Sequence, residues 1–305
     1  MKTISSVGIV GAGALGVLYA DFFTRALGRD HVRVLADRDR TARYQREGIF
    51  LNGRRCDFHY ADAARETEPA DLLLFSVKFG SLEEAIAQCR HLAGPDTVII
   101  SVLNGISSEE ILGRAFGPEK IVWCVSQKAA ALKEGNQATC RGVGTLALGV
   151  PQGRDRSRLE RLTAFLDAVH FPYELPEDIW RHMWSKLLCN TGCNQVLMVY
   201  EGSYGAIQQP GQARETMIAA MGEVVRVANA EGVSLSEADI THWVEILDSF
   251  DPTSEPSMRQ DGKAHRKSEV ELFSGTIRRL AQKHQIPVPV NDWLYQRVRE
   301  MEAAY

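Results

Sequence analysis

The sequence predicts an α/β domain built on a parallel sheet, followed by an all-α domain, with a cleft between the two. In the first half of the chain, apolar runs of strand length alternate with helical patterns. Such alternation is typical of βαβ units with helices on both faces of a sheet. Beyond residue 176 the apolar residues keep helical spacing. We therefore expect residues 1–175 to form the first domain and residues 176–305 the second.

A glycine-rich turn between the first strand and the first helix carries the strongest functional signal. Gly11 permits a tight turn, Gly13 removes the Cβ where a pyrophosphate would approach the main chain, and Gly16 lets the helix pack on its strand. The amides at the start of this helix, including those of Ala14 and Leu15, would face the phosphates. The pattern favours a Rossmann-type NAD(P)-binding domain over a plain strand-helix turn.

The strands of the first domain are predicted from apolar runs at residues 4–10, 32–36, 72–77, 98–103 and 121–125. Residues 133–150 contain several glycines and predict turns with antiparallel edge strands. A helix over residues 157–169 and a short strand over 171–174 would complete the domain. Pro172 and Pro176 mark its end.

The second domain is predicted from apolar residues at helical spacing. Helices are expected over residues 180–199, 214–231, 236–250 and 267–284. Residues 251–256 read as an ordered loop that leads into a further helix.

The composition indicates a protein that acts on small molecules. Of 305 residues, 45% are hydrophobic and 24% charged, and the formal net charge is -4, so no basic field attracts nucleic acid or an anionic membrane. No apolar run approaches the roughly 20 residues of a membrane span, and we expect a cytoplasmic protein. The six cysteines form no C-x-x-C pair, which predicts reduced, structural thiols and no metal site.

Three polar residues share one face of the first helix of the second domain. Lys186, Asn190 and Asn194 are spaced i, i+4, i+8, which places them within about 80 degrees of one another. A lysine among apolar neighbours would be partly desolvated, its pKa would fall, and it would become a proton donor near neutral pH. The alternative is a lysine that extends from the helix surface into solvent.

Glu269 and Ser257 are further candidates in the second domain. Glu269 falls on an apolar stripe with Phe273 and Ile277, and a carboxylate there needs a partner. That partner would be a substrate hydroxyl, the Lys186 ammonium, or a structural arginine such as Arg226. Ser257 would begin a helix, where a role as a simple cap is the alternative.

Lys78 and Asn104 each follow a predicted strand of the first domain. They would therefore lie at the carboxyl edge of the sheet, where ligands bind in doubly wound folds. Asn104-Gly105 is also a favoured turn dipeptide, so turn formation alone would explain Asn104 but not Lys78.

Six segments in order resemble the ketopantoate reductase (2-dehydropantoate 2-reductase) family over nearly the full length. They are residues 11–16 (GAGALG), 72–78 (LLLFSVK), 103–105 (LNG), 184–190 (WSKLLCN), 257–261 (SMRQD) and 268–271 (SEVE). The resemblance implies that Lys186 is the general acid and that Glu269 supports the reacting centre. It implies that Lys78 lies by the cofactor. It also implies which residues hold the substrate's carboxylate and hydroxyls. These are Asn104, Asn190, Asn194 and Ser257, and Asn104 would lie beside the cofactor as well.

The activity implied by the resemblance is NAD(P)H-dependent reduction of a small branched 2-keto acid, ketopantoate first, to pantoate in pantothenate biosynthesis on the route to coenzyme A. Two positions depart from the family. Gln195 stands where the family usually has proline, and Asp37-Arg38, with Arg40 nearby, stands where it commonly has an arginine for the NADP phosphate. An aspartate there normally binds the ribose hydroxyl of NAD. The resemblance favours NADP, with NAD as the alternative.

Two other interpretations stay open at this point. One is a related dehydrogenase that acts on another hydroxy or keto acid. The other is a non-catalytic protein that senses NAD(P), although such a protein has no need of Lys186 and Glu269. A small-molecule substrate is the expected partner, and a homodimer is an open alternative to a monomer.

Overall fold

The computed structural model describes residues 3–305, apart from the side chain at position 130. It divides into two compact units, of which the first ends at Ile179 and the second is Trp180–Tyr305. The boundary expected from the sequence, between residues 175 and 176, falls just before this division. The predicted fold class is confirmed, because a unit with a parallel sheet and helices precedes an all-α unit.

The first unit alternates strands and helices. In chain order its elements are β1 (Val7–Val10), α1 (Ala14–Leu27), β2 (Val32–Ala36), α2 (Arg38–Glu47), β3 (Phe50–Leu51), β4 (Arg54–Arg55), β5 (His59–Asp62), β6 (Leu72–Phe75), α3 (Leu82–Cys89), β7 (Val98–Ser101), α4 (Ser108–Phe116), β8 (Trp123–Gln127), β9 (Ala130–Glu134), β10 (Gln137–Arg141), β11 (Thr145–Gly149), α5 (Ser157–Ala168) and β12 (Tyr173–Glu174).

A five-stranded parallel sheet forms the centre of the first unit. Its strand order is β5-β2-β1-β6-β7, and β1, β2, β6 and β7 are buried along their whole length. Burial on both faces explains why these strands are largely apolar rather than alternating, although β2 contains Arg33 and β7 ends in Ser101. The chain winds outward in one direction to β5 and in the other to β7, so the order reverses between β1 and β6. That reversal is the point where open α/β sheets bind ligands.

The fifth parallel strand differs from the one predicted. Residues 121–125 were expected to supply it, but β8 pairs antiparallel with β11 in a three-stranded sheet with β12, and a single parallel bridge, Ile99 to Ile121, joins this region to β7. The fifth parallel strand is β5, which the sequence did not reveal because His59 and Tyr60 break its apolar pattern at the sheet edge.

The glycine-rich stretch at residues 133–150 forms strands, as expected. β9 and β10 make an antiparallel hairpin that joins β3 and β4 in a four-stranded sheet, whereas β11 belongs to the sheet of β8. The predicted helix over 157–169 is α5, and the predicted strand over 171–174 is β12.

The second unit is helical. Its elements are α6 (Ile179–Val199), α7 (Gly205–Gln208), α8 (Gln212–Ala230), α9 (Glu237–Asp248), α10 (Ser257–Lys263), a π-helical turn (Glu271–Gly275), α11 (Thr276–His284) and α12 (Pro289–Glu302). The start of α9 is fixed by a capping box between Ser236 and Asp239. This arrangement satisfies backbone donors that the first turn of a helix leaves unpaired.

Two parts of the second unit differ from the sequence expectation. The helix predicted over 267–284 begins at Glu271 as a π-helical turn and continues as α11, so residues 267–270 precede it. Helix α12 was not predicted. Its buried residues Asn291, Leu294, Val298 and Glu302 include two polar side chains, which weakened the apolar period. Its proline at the first helical position is a favoured start signal.

Gly16 is required by the packing of α1 on the turn after β1. A Cβ added there would overlap with the Gly11 carbonyl oxygen and the Ser76 hydroxyl oxygen. At Gly80, in contrast, a Cβ would meet nothing within 4 Å.

We predict that Gly16→Ala lowers the free energy of unfolding by about 1–3 kcal/mol, because inserted atoms in a packed region force the backbone to shift. Alanine would by itself favour the helix by about 1 kcal/mol, so a loss of stability isolates the clash. Urea unfolding of Gly16→Ala and of the control Gly80→Ala measures this difference. Equal stabilities of the two variants would contradict the packing role of Gly16.

Candidate functional site

The carboxyl ends of the parallel strands meet at one edge of the first unit. Backbone hydrogen bonds continue in register past the strands: Gly11 N donates to Leu35 O (3.1 Å), Ser76 N to Val10 O (2.9 Å) and Val102 N to Phe75 O (2.9 Å). The residues that follow β1, β2, β6 and β7 therefore share this edge. They include the predicted residues Gly11, Asp37, Lys78 and Asn104.

The turn between β1 and α1 has the features of an anion-binding loop. Gly11 has a φ of 94°, a conformation that favours glycine, and Ser76 Oγ donates a 2.7 Å hydrogen bond to its carbonyl oxygen. Gly13, the N-cap of α1, is exposed, and a Cβ there would approach within 3.4 Å of one atom, the Ser76 carbonyl oxygen at 3.2 Å. No side chain caps α1 and its first turn, Ala14 and Leu15 included, holds no acidic residue. Phosphate groups fit this arrangement.

Asp37, at the end of β2, is the N-cap of α2. Its Oδ1 accepts a 2.8 Å hydrogen bond from Arg40 N, and its Oδ2 lies 3.3 Å from Arg40 Nη1. Arg38, the first residue of α2, is exposed. The carboxylate therefore already serves its own helix and has a cation beside it, which reduces the repulsion that it would exert on a phosphate.

Lys78 and Asn104 occupy the loops that follow β6 and β7. Lys78 is exposed and precedes a short 3-10 turn, Phe79–Ser81. Asn104 is half-buried and precedes Gly105, whose φ is 87°. The turn role of Asn104-Gly105 is therefore real, and Asn104 is one of the polar residues of this edge.

Helix α6 carries the predicted polar stripe. Lys186 and Asn190 are half-buried, and Asn194 is 8% exposed. The buried thiol of Cys189 lies close to Lys186: burial raises the pKa of Cys189 to about 12, and the Lys186 ammonium opposes that rise. Lys186 therefore extends along partly apolar surroundings rather than from a fully solvated helix face.

Ser257 is the first residue of α10, is exposed, and follows the N-cap Pro256. The interpretation of Ser257 as the cap was therefore wrong. Helix α10 packs beside the C-terminal end of α6, since a Cβ at Gly262 would be 3.4 Å from Met198 Cε. Arg259 Nη1 of α10 also lies 3.3 Å from Oε1 of Glu201, just after α6. The structure thus brings the helix of Ser257 to the helix of Asn194.

Glu269 is half-buried in a bend just before the π-helical turn. The stripe proposed with Phe273 and Ile277 does not exist as such, because the wider turn changes the helical spacing. The structural arginine considered for it, Arg226, contacts other groups: its Nη1 donates to Gly222 O at 3.4 Å, and its Nη2 lies 3.9 Å from Glu223 Oε1.

A buried hydrogen-bond network links α6 to the π-helical turn and was not foreseen from the sequence. Gln195 Oε1 accepts from Ser274 N (3.1 Å), and Ser274 Oγ donates to Asn291 Oδ1 (2.9 Å). Asn291 Nδ2 donates to Glu223 Oε2 (2.8 Å). The exposed fraction is 0% for Gln195, Ser274 and Asn291 and 2% for Glu223. A signal existed, because Gln195 is an amide inside an apolar helical run.

Ser76 was also missed as a functional residue. Its hydroxyl contacts the glycine turn, and its backbone follows β6 at the reversal of strand order. The signal was the position of Ser76 directly after an apolar run, which is the same argument that selected Lys78.

Within residues 3–305, no group of three or more histidine, cysteine or acidic side chains is arranged to hold a metal ion. None of the helices in that range combines the length and apolar character that crossing a bilayer requires. All six cysteines lie in the described range, and each is buried and takes part in no disulfide bond.

Both units match models of one protein family. Residues 7–153 match the model described as ketopantoate reductase PanE/ApbA, and residues 178–302 match the model of its C-terminal part. The chain belongs to the ketopantoate reductase family. The resemblance drawn from the six segments is confirmed, and the protein is an oxidoreductase.

Individual relatives agree with this membership. The chain is similar to 2-dehydropantoate 2-reductase of Aquifex aeolicus, with 25% identity over 300 residues that cover 96% of each chain. The solved 2-dehydropantoate 2-reductase of Geobacter metallireducens is 26% identical, with a TM-score of 0.85 over 97% of this chain and 99% of that one. A D-mandelate dehydrogenase solved with NADH and anilino(oxo)acetate has a TM-score of 0.88 over 98% and 99% of the two chains at 22% identity, and shares the fold.

A buried carboxyl group follows the Asn104 loop, in the first turn of α4. Glu109 is 2% exposed, and Ser108 Oγ donates a 2.9 Å hydrogen bond to its Oε2. Burial raises the pKa of Glu109 to about 7. The folded protein therefore binds a proton at Glu109 over a pH range in which the unfolded chain has released it.

We predict that the contribution of Glu109 to wild-type stability falls as the pH rises from about 4 to about 7, since at this group the native state binds more protons than the unfolded chain there. Glu109→Gln removes this dependence, so its gain over wild type should grow with pH up to about 7 and then level off. Urea unfolding at several pH values measures the gain. The exposed neighbour provides the control Glu110→Gln, and parallel pH profiles for wild type and Glu109→Gln would contradict the raised pKa.

Proposed function

We propose that this protein reduces a small branched 2-keto acid with NAD(P)H, with ketopantoate as the first candidate and pantoate as its product in pantothenate biosynthesis. The observation that carries the proposal is the half-buried Lys186 on the polar stripe of α6, in a chain of the ketopantoate reductase family. The expected cleft between the domains stays a prediction, and so does a homodimer.

The first domain is proposed to hold the dinucleotide. The backbone of Gly11, Gly13, Ala14, Leu15 and Gly16 would surround the pyrophosphate, because the start of α1 presents amides without a capping side chain. Lys78 and Asn104 would lie beside the cofactor at the same sheet edge. When bound, the nicotinamide supplies a hydride for C2 of the keto acid.

Lys186 is proposed to act as the general acid. As hydride reaches C2, negative charge develops on the ketone oxygen, and an ammonium group beside that oxygen stabilises the charge and then donates a proton. Partial burial among the apolar residues of α6 favours this role, because an ammonium group stabilises negative charge more strongly where water is partly excluded.

The substrate's remaining polar groups are proposed to bind amides and hydroxyls. Asn190 and Asn194, one and two turns beyond Lys186, together with Ser257 and Asn104, would hold the carboxylate and hydroxyls. Glu269 would orient the reacting centre by accepting a hydrogen bond from a substrate hydroxyl. An amide or carboxylate in a half-buried position can fix the orientation of a substrate, because few water molecules compete with the substrate for its hydrogen bonds.

NADP is the proposed cofactor form. The Asp37 carboxylate is engaged by Arg40 and by its own helix, which leaves it less able to exclude a phosphate. Arg38 is exposed at the first position of α2, and with Arg40 it would bind the 2′-phosphate by charge-assisted hydrogen bonds.

A panel of 2-keto acids tested with NADPH and NADH decides the reaction. The panel includes ketopantoate, linear and branched aliphatic keto acids, and the keto acid of mandelate, since a D-mandelate dehydrogenase shares this fold. We expect the highest kcat/KM for ketopantoate. Preference for another member would favour the related-dehydrogenase alternative, and binding of NADPH without any turnover would favour a sensing role.

On the best substrate, Lys186→Ala should lower kcat by about 100-fold or more, because a positioned acid contributes about that factor. Binding of NADPH, followed by its fluorescence, should change little. Lys283→Ala is the matched control, since this lysine of α11 forms an ion pair with Glu231 at 2.8 Å. A kcat near that of wild type in Lys186→Ala would remove the assignment.

We predict that replacing both Arg38 and Arg40 by alanine raises KM for NADPH about tenfold or more and leaves KM for NADH nearly unchanged, because only NADPH has the phosphate. Arg46→Ala, in the last turn of the same helix, is the control. If wild type prefers NADH and Asp37→Ala erodes that preference, Asp37 binds the ribose and the phosphate proposal is wrong.

A further inference from the structure

The π-helical turn leaves one buried amide to be satisfied from another helix. Val270 O accepts from Gly275 N at 2.9 Å and from Phe273 N at 3.2 Å, and Glu269 O accepts from Leu272 N at 2.9 Å. In an α-helix, Val270 O would instead accept from Ser274 N. Ser274 is fully buried, so its N–H needs another acceptor.

Gln195 supplies that acceptor and is held in place at both ends of its amide. Its Oε1 accepts from Ser274 N at 3.1 Å, and its Nε2 donates to Thr191 O at 2.7 Å within α6. Because the side chain is tied to its own helix, it cannot shift without losing a buried hydrogen bond. A proline at position 195 would offer no side-chain acceptor.

The other side of Ser274 is fixed as well. Its hydroxyl donates to Asn291, and Asn291 Nδ2 donates to Ala220 O at 3.2 Å and to Glu223 Oε2 at 2.8 Å. Glu223 also accepts from the backbone N–H groups of Val290 and Asn291. The turn is thus connected by buried hydrogen bonds to α6, α8 and α12.

We propose that Gln195 and Ser274 are positioning residues that hold Glu269 in place relative to the polar stripe of α6. Gln195 directly follows Asn194 on α6. Ser274 lies in the π-helical turn, and Leu272 N of the same turn donates a hydrogen bond to the carbonyl oxygen of Glu269. The network fixes the backbone that carries Lys186, Asn190 and Asn194 against the backbone that carries Glu269. This inference rests on the proposed catalytic function of that site.

Its first test is Gln195→Leu, which keeps the volume and removes the acceptor of Ser274 N. Loss of positioning should lower kcat by about 10- to 100-fold, with NADPH binding unchanged, because the glycine loop lies in the other domain. Asn229→Leu is the control: this exposed amide of α8 likewise makes two hydrogen bonds to backbone groups, by donating to Val225 O and Leu235 O, both at 2.9 Å. The control should keep the wild-type kcat even where its Tm falls.

A double-mutant cycle separates positioning from a general loss of stability. If Gln195 acts through Glu269, Gln195→Leu should cost little further kcat once Glu269→Ala is present, since the two residues then affect one interaction. Fully multiplicative effects would overturn the proposal. Where Gln195→Leu fails to fold, Ser274→Ala, which removes the link to Asn291, enters the same cycle with the same expected outcome.

The outcomes distinguish this inference from the proposed function. A wild-type enzyme that turns over, with Glu269→Ala impaired and Gln195→Leu and Ser274→Ala unimpaired, overturns the positioning role and leaves the proposed function intact. Unchanged turnover in Glu269→Ala overturns both the proposed role of that carboxylate and the positioning that depends on it.

Discussion

Every buried backbone N–H needs an acceptor, and this constraint determines how the candidate site is constructed in each domain. In the first domain the parallel ladder continues beyond β1, β6 and β7, so that the loops leave the sheet at a common edge with their polar residues together. In the second domain the same requirement is met across elements, where Ser274 N reaches Gln195. The first case is local and repetitive, whereas the second depends on one side chain.

That difference explains what the sequence could reveal about the fold. Apolar runs predicted the four central parallel strands and the helices α6, α8 and α9, because burial imposes a strict pattern on those segments. Strand β5 and helix α12 escaped prediction. The former lies at a sheet edge with half-buried His59 and Tyr60, and the latter buries Asn291 where a continuous apolar stripe would have Leu or Val.

The candidate site was predictable to the extent that its residues follow a local rule. Gly11, Gly13 and Gly16 follow from backbone geometry, and Lys186, Asn190 and Asn194 follow from helical spacing. Glu269 was selected on a spacing that the π-helical turn does not keep, so its position depended on the family resemblance. Gln195 was noticed as a departure from the family, but its partner is 79 residues away. No local pattern reports a contact of that range.

The π-helical turn has a consequence for how this chain could change during evolution. A π-helical hydrogen bond encloses one residue more than an α-helical one, so deletion of a single residue between Val270 and Gly275 would restore ordinary helical register. Ser274 N would then donate to a carbonyl oxygen of its own helix, and the side chain at position 195 would no longer need to accept that hydrogen bond. The length of that segment and the identity of residue 195 should therefore change together among descendants of this sequence. A chain that keeps the extra residue of the π-helical turn should keep glutamine at position 195, and a chain that has lost that residue should not need it.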